Sequence, residues 1–180
     1  MRRSMDNNKL TEVFNSPHWI RAVILRDPAT RLLSAFNNKV VTNHGGHVFP
    51  SDLKVPKGTD RLKAFDNLLQ LIDENYYKKN RMHQLDGHFR PQADVCHKKW
   101  LGCYFNFVGY YDELSNHTKI LLELQGLWRK FGSIPSSGFL QGGGPATGHK
   151  TSHKVNMTKF LTLDRMNLIR KLYKVKYLIA

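Results

Sequence analysis

Two periods of apolar and polar residues run along the chain and predict two strands and four helices. The β-branched run Ile20–Leu25 and the aromatic run Tyr104–Tyr110, broken by polar Asn106, are typical of strands. Apolar residues at helical spacing predict four helices: Pro28 to Val40, Asp60 to Lys79, Ile120 to Phe131 and Leu163 to Tyr173. Strands separated by helices indicate an α/β layer structure with a mainly parallel sheet.

Residues with special backbone roles mark the ends of these elements. Asp27 can cap the first helix and Pro28 suits its first turn, where a missing N–H costs nothing. Gly132 is placed to end the third helix. Residues 42–58 and 135–154 are rich in glycine, proline or small polar residues and are predicted to be loops. A length of 180 residues is most simply one domain, 1–180.

The chain carries a strong excess of positive charge, 28 lysines and arginines against 14 acidic residues. Between Gln125 and Ala180 there are ten basic residues and one acid, Asp164. An anionic ligand is therefore expected, whether nucleic acid, acidic polysaccharide, phosphorylated cofactor or anionic membrane. A solvated basic face would give the same composition.

Targeting signals and cysteine chemistry leave several alternatives open. No apolar run reaches the ~20 residues of a membrane span, so the protein is either cytosolic or a piece whose targeting segment lies elsewhere. The sequons at Asn116 and Asn156 are compatible with a secretory lumen. Cys96 and Cys103 could form one disulfide or remain two thiols, and we expect the disulfide if the chain matures in an oxidising lumen. No metal is expected, since no zinc-type spacing occurs.

The stretch around Arg26 carries the clearest candidate chemistry. Arg26 follows the first predicted strand, where ligands of α/β sheets gather, and the next helix directs its N-terminus there. Ser34 lies on that helix, with Arg31 three residues earlier on the same face. A phosphate could bind between Arg26 and Ser34. Alternatively, Arg26 pairs with Asp27 while Ser34 bonds back to a helix carbonyl.

The run from Arg26 to Phe36, "RDPATRLLSAF", resembles the 3′-phosphate-binding motif of Golgi carbohydrate sulfotransferases, the group that includes the chondroitin and HNK-1 enzymes. These enzymes use 3′-phosphoadenosine 5′-phosphosulfate (PAPS) as sulfuryl donor. The resemblance implies that Arg26 and Ser34 bind the 3′-phosphate, with Arg31 in the same donor-binding set. Lys39 also falls where the family often has a lysine.

Further motifs follow in the family's order. "HFRPQ" from His88, "YFNFVG" from Tyr104 and a Thr-Gly pair at Thr147 before the last helix are similar to its later motifs. Asn106 and Lys176 stand where the family has acids. The resemblance implies a P-loop-like sulfotransferase layer fold, N-terminally incomplete, because no counterpart of the family's 5′-phosphosulfate loop and its lysine precedes Arg26. We therefore expect slow transfer by these 180 residues alone.

The function implied is transfer of a sulfuryl group from PAPS to a hydroxyl of a glycosaminoglycan or glycoprotein glycan. The partner would be a carbohydrate acceptor rather than nucleic acid. The location implied is the lumenal side of the Golgi membrane, with any membrane attachment through an N-terminal anchor absent from this sequence. His88 is the candidate catalytic base, because imidazole titrates near neutral pH, although a histidine that bonds to the backbone would fit equally.

The glycine-rich segment "GGGPATGHKT", residues 142–151, resembles a nucleotide-binding P-loop only superficially. His149 interrupts the pattern and no convincing strand precedes it. Thr147 and Lys150 fit better as donor contacts near the adenosine phosphate, or as parts of a plain loop. A second hypothesis is a non-catalytic basic module that binds nucleic acid or sulfated glycan through charge alone.

Overall fold

The computed structural model describes residues 11–12, 15–42, 60–95, 105–132 and 156–173. The described residues fall into two compact units. The first contains the residues up to Leu25 and 105–132, and the second contains the residues from Arg26 to Val95 and 156–173.

Helices outnumber strands in the described residues, as the sequence predicts. The regular elements are, in chain order, β1 (Ala22–Leu25), α1 (Pro28–Ala35), α2 (Arg61–Leu71), α3 (Gln92–Val95), β2 (Phe107–Tyr110), α4 (Leu114–Leu124), α5 (Met157–Phe160) and α6 (Leu163–Tyr173). Wider π-helical turns continue α1 and α2 and follow α4: Phe36–Val41, Ile72–Tyr77 and Trp128–Gly132. Short 3₁₀ turns occur at Met82–Gln84 and Tyr111–Glu113. No helix among the described residues is long and apolar enough to cross a membrane.

The first unit is built on a small parallel sheet of β1 and β2. Ala22 lies opposite Phe107 and Leu25 lies opposite Tyr110. Parallel neighbours cannot be joined by a tight hairpin and need a long crossover connection. The predicted mixed fold of helices with parallel strands is confirmed for this pair.

Asn106 ties the start of β2 to the chain before β1. Its Oδ1 accepts the N–H of Arg21 at 2.7 Å, and its Nδ2 donates to the carbonyl of Trp19 at 3.0 Å. An ionised aspartate has no donor and could make only the first of these bonds. The asparagine that departs from the family pattern therefore has a structural use in this chain.

Helix α4 lies against β2 through His117. The imidazole Nδ1 accepts the N–H of Tyr110 at 3.0 Å, and the ring meets Phe107 edge-on with centroids 5.9 Å apart. Gly109 makes room for this contact, because a Cβ there would lie 2.6 Å from Ile24 Cδ1 and 3.1 Å from His117 Cβ. Any side chain at this position would therefore require the Ile24 and His117 side chains to shift.

The single helix predicted from Ile120 to Phe131 is wrong. Helix α4 ends at Leu124, and Gly126 has φ 66°, a left-handed conformation that terminates helices. A separate π-helical turn, Trp128–Gly132, follows. The apolar spacing continues across the break, so periodicity alone extended the helix about two turns too far, from Leu124 to Phe131.

The second unit begins with the predicted helix and its predicted cap. Asp27 Oδ1 accepts the N–H of Thr30 at 2.8 Å, and Pro28 occupies the first position of α1. Helix α2 is capped in the same way, since Asp60 Oδ1 accepts the N–H of Leu62 at 2.9 Å. Both predicted starts are confirmed.

Three phenylalanine rings form the centre of the second unit's core. Phe65 lies between Phe36 and Phe160, with ring centroids 5.2 and 5.6 Å away. Such pairs add about 0.5–1.5 kcal/mol to the gain from burial. The other fully buried large side chains come from α1, α2 and the turn that continues it, α6 and residues 85–90: Leu32, Leu68, Leu69, Ile72, Leu85, Phe89, Ile169 and Leu172.

Arg165 connects α6 with α2 and α5. Its guanidinium meets the Asp66 carboxylate with two bonds, Nε to Oδ1 at 2.6 Å and Nη2 to Oδ2 at 2.7 Å. Nη1 donates to the carbonyls of Lys159 and Phe160 at the end of α5. A planar fork of donors suits this arrangement, which a lysine could not reproduce.

Candidate functional site

The start of α1 joins two motifs that are far apart in sequence. The backbone N–H of Arg26 donates to Gln92 Oε1 at 3.0 Å. Gln92 closes the "HFRPQ" motif, so this motif fixes the backbone from which the Arg26 side chain leaves. The Arg26 side chain is partly buried. No role was assigned to Gln92 from the sequence. Its position in the "HFRPQ" motif could have marked it as a candidate site residue.

The N-terminus of α1 is only partly available to an anion. The Asp27 carboxylate takes the N–H of Thr30, and the Thr30 hydroxyl donates to the Asp27 carbonyl at 3.1 Å. An anion beside this helix would therefore depend on side chains and on the helix dipole more than on exposed N–H groups.

Ser34 lies in the last turn of α1 and is partly buried. Within the described ranges its hydroxyl makes no hydrogen bond, so it does not bond back to a helix carbonyl, the common use of a serine inside a helix. The alternative that Ser34 bonds back to a helix carbonyl is therefore excluded. The hydroxyl is left for a ligand or solvent.

Arg31, predicted to bind the sulfuryl donor, makes hydrogen bonds to backbone carbonyls. Its Nη1 donates to the Arg90 carbonyl at 2.6 Å and its Nη2 donates to the Gly87 carbonyl at 2.8 Å. These bonds attach α1 to residues Leu85–Arg90, which we call the His88 turn. The position of Arg31 on the motif was visible in the sequence, but its carbonyl partners were not.

Asp86 holds His88 at both its backbone and its ring. Asp86 Oδ1 accepts the His88 backbone N–H at 2.8 Å and lies 2.6 Å from the imidazole Nδ1. Burial raises the pKa of the Asp86 carboxyl, but the two hydrogen bonds from His88 and the charge of Lys39 lower that pKa overall. Asp86 is therefore a carboxylate near neutral pH. Sequence reasoning overlooked it, although Asp-x-His is the spacing of a side chain that bonds two residues ahead.

The backbone of the His88 turn is supported from three directions. Besides the Arg31 bonds, the Arg90 guanidinium donates to the Leu85 carbonyl at 2.8 Å through Nη2. The buried Tyr173 hydroxyl donates to the Phe89 carbonyl at 2.6 Å, and burial raises the pKa of this phenol well above its ordinary range. Leu85 and Phe89 are completely buried, whereas the His88 side chain is 55% exposed. A fixed backbone thus carries one exposed imidazole.

Several predicted site residues are outside the described residues. These are Thr147 and Lys150 of the glycine-rich segment, and Cys96 and Cys103 of the predicted disulfide. Their predicted roles stay predictions. Within the described ranges, no cluster of three or more histidine, cysteine or acidic side chains could hold a metal ion.

The Arg26 side chain and the dipole at the start of α1 attract anions, and the Ser34 hydroxyl on the same helix can donate a hydrogen bond to one. The model of the sulfotransferase family matches residues 2–179, and the chain belongs to that family. No curated protein and no solved structure matches the chain.

Proposed function

We propose that this protein transfers the sulfuryl group of PAPS to a hydroxyl of a carbohydrate, a glycosaminoglycan or glycoprotein glycan. Membership of the sulfotransferase family supports sulfuryl transfer, and that family generally uses PAPS. The carbohydrate acceptor is inferred from the resemblance of the motifs at Arg26 and His88 to those of the Golgi enzymes.

The observation that carries the donor half of the proposal is the state of Ser34. A partly buried hydroxyl with no described partner lies on the helix that Arg26 precedes. In the proposed site Arg26 supplies charge and Ser34 a hydrogen bond to the 3′-phosphate of the donor. The dipole of α1 adds to the attraction near its N-terminus.

The proposed reaction is an in-line displacement at sulfur. The acceptor oxygen forms a bond to sulfur while the bond from sulfur to the 5′-phosphate oxygen breaks, and 3′-phosphoadenosine 5′-phosphate (PAP) leaves with the electron pair. The acceptor hydroxyl proton goes to His88 as general base. Nε2 is the nitrogen for this role, because Nδ1 already faces Asp86.

The donor site is tested by calorimetry with PAP. Arg26→Ala should weaken PAP binding by about 2–5 kcal/mol if the phosphate contact is desolvated, and Ser34→Ala by about 1 kcal/mol. Arg61→Ala removes an exposed arginine at the start of α2 and is the matched control. Equal affinity for PAP and adenosine 5′-phosphate, or an equal loss in the Arg61 variant, would contradict the assignment.

The acceptor half needs its own measurement. Radiolabelled PAPS is incubated with chondroitin, dermatan and simple galactoside acceptors, and label in the glycan is counted. Label that appears in a glycan and falls when His88 is replaced by alanine would support the proposal. PAP binding without label in any glycan would retain the donor site and reject the carbohydrate acceptors tested.

A further inference from the structure

We propose that Asp86 is a positioning residue that sets the tautomer of His88 and leaves Nε2 as the nitrogen that accepts a proton. The inference rests on the proposed function, because it concerns the histidine proposed there as base. It adds a residue to which the sequence motifs assign no role.

The contact between Asp86 and His88 joins a carboxylate oxygen to a ring nitrogen. A carboxylate oxygen can only accept hydrogen bonds, so the 2.6 Å contact of Asp86 Oδ1 with His88 Nδ1 requires a proton on Nδ1. A neutral imidazole that carries its proton on Nδ1 has its lone pair on Nε2. The contact therefore selects the form in which the outer nitrogen is the acceptor.

Asp86 cannot easily turn away. The same Oδ1 accepts the His88 backbone N–H at 2.8 Å, which holds the carboxylate beside Nδ1 of the imidazole. Burial raises the pKa of the Asp86 carboxyl, but the two hydrogen bonds from His88, and after them the charges of His88 and Lys39, lower that pKa overall. A bond from Nδ1–H to an ionised acceptor is stronger than one between neutral groups.

The backbone of the His88 turn, which carries the imidazole, is held by hydrogen bonds from side chains. Arg31 holds the Gly87 and Arg90 carbonyls, and the Tyr173 hydroxyl holds the Phe89 carbonyl between them. The Leu85 and Phe89 side chains of the same turn have no exposed surface. The turn therefore has little room to shift. Preorganisation of this kind is what a proton-transfer group requires.

The test reads the tautomer directly. The full chain is labelled with nitrogen-15 in its histidines, and a His88→Gln variant assigns the His88 signals. Under conditions where the imidazole is neutral, we expect His88 to be mostly the Nδ1–H form. In Asp86→Ala we expect the majority to change to the Nε2–H form that free histidine prefers. Asp164→Ala, which removes an exposed aspartate from α6, should leave the ratio unchanged.

A second variant keeps the proposal testable if Asp86→Ala does not fold. Asp86→Asn has the same shape and can still accept the backbone N–H, but its bond to Nδ1–H is no longer charge-assisted. The Nδ1–H proton resonance should therefore lie far downfield in the wild type and move upfield in this variant. An unchanged resonance, or a wild type that is mostly Nε2–H, would overturn the proposal.

The outcome separates this inference from the proposed function. Wild-type PAP binding with an Nε2–H tautomer would reject the role of Asp86 and retain the donor site. An Nδ1–H tautomer that Asp86 controls, in a chain that does not bind PAP, would retain the contact and reject the sulfuryl-transfer role on which it rests.

Discussion

At the scale of single residues, Asp73 links stability to pH because it holds two lysines. Lys78 Nζ lies 3.1 Å from Oδ2 and Lys171 Nζ lies 3.6 Å from Oδ1. The Asp73 side chain is 15% exposed, and the hydrogen bond from Lys78 with the charges of both lysines lowers the pKa of its carboxyl despite burial. The folded state is therefore more stable when Asp73 is ionised than when it is protonated.

The sign of the pH dependence follows from that lowered pKa. The contribution of Asp73 is fully present above the pKa of its carboxyl in the unfolded chain and is lost as pH falls through the lower folded pKa. Asp73→Asn should reduce the free energy of unfolding at neutral pH and flatten its decline in acid, as measured by urea denaturation across pH. Asp164→Asn makes the same change of charge at an exposed site. Equal flattening in both variants would assign the effect to net charge.

Single residues also show where prediction from sequence reached its limit. The motif placed Arg26 before the first helix and Arg31 and Ser34 on it, and the structure has this order: Arg26 precedes the cap Asp27, and the other two lie within α1. The partners of Arg31 could not be predicted, since the carbonyls of Gly87 and Arg90 reach it only through the tertiary path of the chain. Helical spacing relates residues three or four apart, and it carries no information about contacts this distant.

At the scale of elements, the end of α4 depends on one glycine. Gly126 has φ 66°, and a Cβ there would meet no atom within 4 Å. Substitution should therefore cost only backbone strain. We expect Gly126→Ala to lower the free energy of unfolding by about 1–2 kcal/mol and Gly126→Asn to cost less, because asparagine tolerates this conformation.

Chemical denaturation of the two variants measures this difference. Gly87→Ala is the control, because a Cβ at Gly87 also meets nothing within 4 Å but its φ is not positive. Equal losses in Gly87→Ala and Gly126→Ala would show that the left-handed backbone is not the cause.

The same glycine explains why this helix was predicted less well than α2. Asp60 gave α2 an unambiguous start, and one apolar face ran to Tyr77 without a competing stop. After Leu124 both Gly126 and Gly132 could end the helix, while apolar residues continued between them. Choosing between two possible stops requires the packing of the following turn, which periodicity does not contain.

At the scale of the whole molecule, the described residues form two compact units, and the single domain over residues 1–180 stays a prediction. All described residues of the proposed donor and base sites belong to the second unit: Arg26, Ser34, Asp86 and His88. The net charge of +14 belongs to the entire chain and attracts any polyanion. Charge alone therefore cannot separate a donor site from a basic surface.

Salt dependence separates them. A DNA duplex or sulfated glycan bound by charge alone displaces many counterions, so raising salt from about 50 to 200 mM should weaken it by roughly a thousandfold or more. PAP is a small ligand without a condensed counterion atmosphere, so the same change should weaken its binding only by screening a few charges, far less than it weakens polyanion binding. Arg26→Ala should weaken PAP binding strongly at both concentrations but reduce polyanion binding only as one lost charge would. Parallel losses for PAP and DNA, in wild type and variant alike, would favour a non-catalytic basic module over a sulfotransferase donor site.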